Sequence, residues 1–243
     1  MSIAENIAGV ERRIVDACRA VGRDPSEVRL LPVSKTKPPE AVVELAGLGY
    51  RLFGENKVQE AYGKWEVLHE QHPEIQWAVI GHLQTNKARV VARFASEFQA
   101  LASVRVAAEL DKRLQAEGRQ LDVLIQVNSS GEPQKFGVDP DEAVALAREL
   151  KPFDALRVRG LMTLALFSDD HEAVGACFRR MLVVQERLRT EVGDLSDWSD
   201  LSMGMSGDFE LAIAHGATTV RVGQAIFGDR LDPNAYWPGI TAG

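Results

Sequence analysis

Eight short apolar segments, each separated from the next by a segment with a helical pattern, constrain the fold of this chain more than any other feature. These segments are predicted as strands at residues 28–34, 50–54, 75–81, 98–102, 121–128, 158–164, 200–203 and 218–222. Several are nearly continuous in Val, Ile and Leu, which is typical of strands buried on both faces of a parallel sheet. Eight such strands alternating with helices predict an α/β protein with a (β/α)8 TIM barrel. A doubly wound open sheet is the alternative, but no GxGxxG or GxxxxGK[ST] follows any strand.

The segments between these strands are predicted as helices, and an extra helix precedes the first strand. Ile3, Ile7 and Val10 begin an apolar stripe at three- and four-residue steps, and Gly22 ends that helix. The other helices are predicted at residues 39–48, 56–69, 86–94, 104–116, 139–150, 172–192 and 209–215. No Ser/Gly-rich linker divides the chain, so we expect a single domain over residues 1–243.

Charge and cysteine content argue against several classes of partner. The net charge of −7 disfavours a general nucleic-acid or anionic-membrane surface. Cys18 and Cys177 are far apart and form no CxxC, so we expect small buried residues in a reducing compartment, and no zinc pattern is present. No segment approaches ~18 consecutive apolar residues, and the N-terminal residues lack a signal-peptide pattern. We therefore expect a cytoplasmic protein with no metal site and no nucleic-acid or membrane partner.

The first predicted strand runs into a lysine at its carboxyl end. Alternation along a strand places Lys35 and Lys37 on one face, and Lys37 directly precedes Pro38 at the expected solvent edge. Lys35 would then lie one pleat deeper. An ammonium removed from water is costly unless it is paired, neutralised or used covalently. Lys35 is therefore a candidate Schiff-base nucleophile, and Lys37 remains the fallback as a surface or phosphate-side charge.

Polar and glycine residues follow the last two predicted strands, where this barrel usually binds phosphate. Ser206 and Gly207 open a short helix whose free N–H groups can meet an anion. Gly223 and Gln224 can offer backbone N–H groups from the other side, and Arg221 faces the same mouth. The alternative is that Ser206 only caps the helix and that the glycines only serve turns.

A lysine, a phosphate cradle and an arginine together indicate a ligand with an aldehyde and a phosphate. Pyridoxal phosphate (PLP) is such a ligand, and PLP proteins meet its ring nitrogen with either Asp or Arg. An Arg partner disfavours protonation of that nitrogen and weakens the electron sink. A site of this kind suits modest chemistry or carriage of the cofactor.

Six sequence blocks carry a resemblance to one protein family. They are VSKTK at 33–37, FGEN at 53–56, IGHLQTNK at 80–87, RGLM at 159–162, LSMGMSGD at 201–208 and VRVGQAIFG at 220–228. In this order they resemble the pyridoxal phosphate homeostasis protein family, a single-domain relative of the alanine racemase barrel. The sequence departs from the family pattern at His82, where relatives often have proline, and at Phe136, where they often have serine.

The resemblance implies a role for each site residue. Lys35 would carry PLP as a Schiff base, and Arg221 would face the pyridine nitrogen. Asn56 would line the cofactor mouth. The residues that would hold the phosphate are Ser206, Gly207, Gly223 and Gln224.

The resemblance also implies a function in PLP homeostasis. The protein would bind PLP reversibly and buffer it or deliver it to PLP-dependent apoenzymes, as a monomer or weak dimer. We expect no robust catalytic activity, because alanine racemases take a second base from an added β-domain for which this chain has no residues left. The alternatives are a PLP-dependent enzyme with weak amino-acid racemase activity, a Schiff-base aldolase in which Lys35 attacks a sugar phosphate, and a protein-interaction scaffold.

Overall fold

The computed structural model describes residues 2–228, and its centre is one parallel eight-stranded sheet. The strands are β1 Arg29–Pro32, β2 Leu52–Glu55, β3 Gln76–Val79, β4 Glu97–Leu101, β5 Leu121–Gln126, β6 Leu156–Met162, β7 Asp200–Ser202 and β8 Thr219–Val222. Their order in the sheet is β1-β8-β7-β6-β5-β4-β3-β2, and an isolated parallel bridge from Val33 to Gly54 joins its two ends. The sheet is therefore a nearly closed barrel, which confirms the predicted (β/α)8 fold.

The helices surround this sheet. They are α1 Ile3–Ala20, α2 Pro39–Gly47, α3 Val58–Leu68, α4 Ala88–Phe94, α5 Val104–Glu117, α6 Ala143–Leu150, α7 His171–Val192, α8 Phe209–Ala214 and α9 Gln224–Phe227, with short 3₁₀ helices at Pro25–Glu27 and Thr85–Lys87. The predicted extra helix is α1, which begins with a reciprocal capping box between Ser2 and Glu5. Gly22 follows it in the left-handed region at φ +69°, a conformation that costs glycine little.

The apolar core lies between the sheet and the helices. Every residue of β4 and β8 is buried, as both faces of a parallel sheet require. Cys18 and Cys177 are buried in α1 and α7, as the sequence predicts. Within residues 2–228, no helix is long and apolar enough to cross a membrane.

Several element boundaries at the barrel mouth differ from the predicted ones, and two of them change the loops there. The first strand was expected to reach residue 34, but β1 ends at Pro32 and the chain then turns. The helix expected from residue 139 begins at Ala143. Asp139 instead accepts a hydrogen bond from the Asp141 N–H at 2.9 Å, which forms a local turn that competes with the helix. The carboxyl end of β5 therefore leads into a longer loop than predicted.

Candidate functional site

The carboxyl ends of β1, β2 and β8 lie side by side at the mouth of the barrel. Pro32 pairs with Val222, and Val33 bridges to Gly54. Lys35 lies three residues beyond the end of β1 and is therefore set between the segments that follow β2 and β8. The structure thus brings Lys35 close to the ends of the two strands that carry Asn56 and Arg221.

The relative depth predicted for the two lysines is wrong. Lys37 is buried, with 7% of its surface exposed, whereas Lys35 is only half-buried. Strand alternation does not apply, because the chain leaves β1 at Pro32 and Thr36 adopts a left-handed conformation at φ +62°. Lys35 therefore sits on a turn at the rim, and its selection over Lys37 rests only on the resemblance to the family, which implies Lys35 as the attachment residue.

Three ionisable side chains are buried directly below this turn: Glu55 at the end of β2, and Glu60 and Lys64 on α3. We call them the buried triad. The Lys64 ammonium has no exposed surface and donates to Glu55 Oε1 at 2.6 Å and to Glu60 Oε1 at 2.9 Å. Glu55 Oε1 also accepts from the Ser34 hydroxyl at 2.6 Å. Pairing of this kind offsets much of the cost of removing the three charges from water.

The buried triad also holds the backbone on both sides of Lys35. Lys64 Nζ donates to the carbonyl oxygen of Ser34 at 2.7 Å. The N–H of Thr36 donates to Glu60 Oε1 at 2.6 Å. The peptide groups before and after Lys35 are therefore both tied to buried charges.

Glu55 is the member of the triad whose protonation is most perturbed. Burial raises its pKa to about 7; the Lys64 ammonium opposes this effect, and the neighbouring Glu60 carboxylate adds to it. Its second oxygen, Oε2, is buried and makes no hydrogen bond within the described residues. A proton on Glu55 would make the net charge of the triad zero, because the Lys64 ammonium and the Glu60 carboxylate would then be its only charged groups.

Two hydrogen bonds fix Arg221 inside the barrel, one to the end of β7 and one to the residue that follows β6. Its Nη1 donates to the Ser202 hydroxyl at 2.8 Å, and its Nη2 donates to the carbonyl oxygen of Thr163 at 2.7 Å. Burial lowers the pKa of Arg221 to about 10, and the Asp208 carboxylate acts in the opposite direction. The guanidinium therefore remains charged at neutral pH.

A line of hydrogen bonds continues from Ser202 to the other end of the barrel. The Ser202 hydroxyl donates to Gln99 Oε1 at 2.7 Å, which crosses the interior because β4 and β7 are not neighbours in the sheet. Gln99 in turn donates to Glu97, which accepts two hydrogen bonds from Arg29 at 2.8 and 3.0 Å. Polar side chains inside the barrel, on the side away from its mouth, thus set the orientation of Arg221.

The segments after β7 and β8 present backbone N–H groups on the rim. Within the described residues, the N–H groups of Ser206, Gly207 and Gly223 donate to no backbone carbonyl. The turn that carries Ser206 and Gly207 depends on Gly204, where φ is +93° and an added Cβ would lie 2.6 Å from Ala212 Cβ. Asp208 Oδ1 closes this turn by accepting from the Met205 N–H at 2.5 Å.

The end of β8 approaches the first strand closely. Gly223 lies against the backbone of Val33, where an added Cβ would be 3.0 Å from the carbonyl oxygen. Gln224 is exposed and begins α9, a four-residue helix that was not predicted. The structure therefore places the Gly223 segment beside the turn that carries Lys35.

Asn56 is exposed at the mouth, directly after β2. The loop after β3 packs on its backbone, and an added Cβ at Gly81 would lie 2.1 Å from the Asn56 carbonyl oxygen. Only glycine allows the two segments to approach so closely. The position of Asn56 is therefore tied to the loop that contains His82.

The two positions that were expected to depart from the family pattern contact each other. The rings of His82 and Phe136 stack with centroids 4.1 Å apart and planes 11° from parallel. Phe136 nevertheless remains 58% exposed. The stack joins the loop after β3 to the loop after β5 at the rim of the mouth.

The sequence offers only a weak signal for the buried triad. Glu60 and Lys64 have the i,i+4 spacing of a helical ion pair, which is ordinarily a surface feature. Their burial arises only when α3 packs below the turn after β1.

Among residues 2–228, no group of three or more His, Cys, Asp or Glu side chains could hold a metal ion.

Comparisons with known proteins agree on one family. The family model described as alanine racemase, N-terminal domain, matches residues 10–231. A protein of Pseudomonas aeruginosa named pyridoxal phosphate homeostasis protein is 44% identical over 230 residues, covering 94% of this chain and 96% of that protein. A protein of the same name from Vibrio cholerae is 40% identical over 231 residues, covering 94% of this chain and 97% of its own length. The solved structure of PipY from Synechococcus elongatus with PLP bound has a TM-score of 0.81 and 32% identity, covering 93% of this chain and all of PipY.

Proposed function

The chain belongs to the pyridoxal phosphate homeostasis protein family, within the proteins that carry the alanine racemase N-terminal domain, and on this premise we propose that it binds PLP reversibly at the barrel mouth with Lys35 as the attachment point. When bound, PLP supplies an aldehyde that condenses with an amine, and a phosphate that needs hydrogen-bond donors. One observation carries the proposal. The Lys35 turn and the Gly223 segment meet at Val33, so an amine and N–H donors share one rim.

The residues present fit this ligand. The N–H groups of Ser206, Gly207 and Gly223 have no backbone acceptor within the described residues, so they are available to an anion. Gly223 leaves open the space that a Cβ would fill beside Val33. Arg221 supplies a buried positive charge whose two terminal nitrogens are already oriented by protein acceptors.

Each residue then has a distinct task. Lys35 supplies the amine, and Arg221 donates towards the pyridine nitrogen, which favours its unprotonated form. Asn56 lines the mouth. The phosphate is held by the backbone N–H groups and the hydroxyl at Ser206, Gly207, Gly223 and Gln224.

Carriage of PLP is favoured over catalysis. An arginine at the ring nitrogen weakens the electron sink that carbanion chemistry requires. The alignment with the Vibrio cholerae relative spans 97% of that protein, so the match extends over nearly all of it. We therefore propose one alanine racemase-like domain over residues 1–243 with no robust catalytic activity. It would act in the cytoplasm as a monomer or weak dimer that buffers PLP or delivers it to PLP-dependent apoenzymes.

The test is the absorbance spectrum of the purified protein with PLP, followed by borohydride reduction and peptide mass mapping. We expect an absorbance band at about 420 nm and a modified peptide that contains Lys35. The Lys35→Ala protein should lose the band, and the matched Lys37→Ala protein should keep it. Attachment at any other side chain would contradict the proposal.

The alternative functions, an aldolase, a racemase and a scaffold, each predict a different result in related experiments. A colourless protein that borohydride traps with a sugar phosphate would instead be an aldolase. Rapid loss of the α-proton from an added amino acid, measured by deuterium exchange, would indicate a racemase. A protein that binds neither ligand would support a scaffold.

A further inference from the structure

We propose that the buried triad is a positioning device that fixes the turn from which Lys35 projects, with Glu60 as its main positioning residue. This inference rests on the proposed function of Lys35 and extends it to residues that do not touch the ligand. The triad members act through the backbone of the turn.

The contacts bracket Lys35 on both sides. Ser34, immediately before it, is held at its carbonyl oxygen by Lys64 at 2.7 Å. Thr36, immediately after it, is held at its N–H by Glu60 at 2.6 Å. With the two flanking peptide groups fixed, the direction in which the Lys35 side chain leaves the backbone is fixed as well.

The conformation of Thr36 gives independent support. A β-branched residue rarely adopts a positive φ, yet Thr36 has φ +62°. Such strain persists only where the surroundings over-determine the backbone, and it concentrates at functional sites. The hydrogen bond from Thr36 to the Glu60 carboxylate is the contact that holds this conformation in place.

The burial of three charges also calls for a reason other than stability. Well-packed apolar residues commonly replace a buried ion network without loss of stability, so the network is weak evidence for a stabilising role. Here the same atoms that pair with one another also bind the turn: Glu60 Oε1 accepts from both Lys64 and Thr36. The charges therefore set geometry at the attachment point.

A fixed turn makes attachment easier and loss slower. Lys35 does not have to be ordered when PLP arrives, so less conformational entropy is lost at that step. The triad should therefore affect the retention of PLP, although it lies below the turn.

Two readouts test this inference on the full-length protein. The first is amide hydrogen exchange of the peptide covering residues 34–37 in protein freed of PLP. The second is the rate at which bound PLP is lost on dilution. In Glu60→Ala we expect both rates to rise about tenfold, the factor that matches loss of a charge-assisted hydrogen bond. Glu60→Gln keeps an oxygen acceptor for the Thr36 N–H and should restore both rates to within about threefold of wild type.

Glu66→Ala is the matched control, because Glu66 lies exposed on the same helix. It should leave both rates unchanged. A folded Glu60→Ala protein with wild-type exchange at residues 34–37 would overturn the inference.

The double variant Glu60→Leu/Lys64→Met keeps the test decisive if Glu60→Ala does not fold. Apolar residues of similar volume commonly replace a buried ion pair without loss of stability, so this protein should fold, while exchange at residues 34–37 and loss of PLP become faster. Unchanged exchange and retention in this double variant would overturn the inference. If the wild-type protein takes up no PLP, the proposed function fails, and hydrogen exchange in the PLP-free protein still decides whether the triad fixes the turn.

Discussion

At the scale of single residues, Glu55 gives the stability of the protein a defined pH dependence. Burial raises its pKa from 4.5 to about 7. Between these two pH values the folded protein holds a proton that the unfolded chain releases. The contribution of Glu55 to the free energy of unfolding is therefore fully present below about pH 4.5 and is lost as the pH rises through about 7.

Replacement of Glu55 by Gln removes this titration. Between about pH 5 and pH 7.5, the wild type should lose roughly 2 to 3 kcal/mol of unfolding free energy relative to Glu55→Gln. Urea unfolding of both proteins at the two pH values measures the difference, with the exposed Glu66→Gln as control. Parallel pH profiles for wild type and Glu55→Gln would contradict the raised pKa.

Arg221 supports a second prediction at this scale. Because we propose that its guanidinium faces the pyridine nitrogen, Arg221→Ala should weaken PLP retention by at least about tenfold or shift the absorbance of the bound cofactor. Equilibrium dialysis and the absorbance spectrum provide the measurement. The exposed Arg105→Ala on α5 should retain both properties. An Arg221→Ala protein with unchanged affinity and spectrum would remove the assignment.

Sequence patterns predict single residues only where local rules decide their position. Arg221 was expected at the mouth because it lies at the end of an apolar strand, and it is buried there. The depth of Lys35 was predicted wrongly, because strand alternation ends at Pro32 and the left-handed Thr36 lies beyond it. Glu55, Glu60 and Lys64 were missed as a group, since α3 and the β1 turn are brought together only by the folded barrel.

At the scale of secondary-structure elements, the alternation of apolar and helical segments predicts the order of all eight strands correctly. The remaining differences are shifted element ends and one short helix that was not predicted. Asp139 forms a turn with Asp141 and delays α6 to Ala143. The helix α9 has only four residues, too few for a periodic pattern to reveal.

The contact between the β2 and β3 ends supports a prediction at this scale. In Gly81→Ala, the new Cβ would lie 2.1 Å from the carbonyl oxygen of Asn56, so one of the two segments must move. We expect a loss of roughly 1–3 kcal/mol in unfolding free energy, measured by urea denaturation, because overpacking forces backbone shifts.

Gly47→Ala is the matched control, because nothing lies within 4 Å of a Cβ built there. Its unfolding free energy should stay the same or rise slightly. Equal stability of the Gly81→Ala and wild-type proteins would show that the two segments are not in close contact.

At the scale of the whole molecule, ligand binding and folding are linked. A ligand that binds only the folded protein at 100 times its Kd adds about 2.7 kcal/mol of stability. For a chain of this size, that corresponds to a rise in Tm of roughly 5–10 °C. Thermal unfolding with PLP should show this rise, and Lys35→Ala should show a much smaller one. Inorganic phosphate at the same concentration is the control, and an equal rise with phosphate would mean that the aldehyde adds nothing to binding.

The seam between β1 and β2 has a consequence for how such a protein works. These two strands stand at opposite ends of the sheet order and are joined by one isolated bridge, with the Ser34 N–H donating to Gly54 at 3.0 Å. Few backbone hydrogen bonds hold this edge, and local opening costs least in such places. Side chains bridge it instead, because Lys64 on α3 binds both the Ser34 carbonyl oxygen beyond β1 and the Glu55 carboxylate on β2. A substitution in the triad should therefore loosen the barrel wall at the same point as the Lys35 turn.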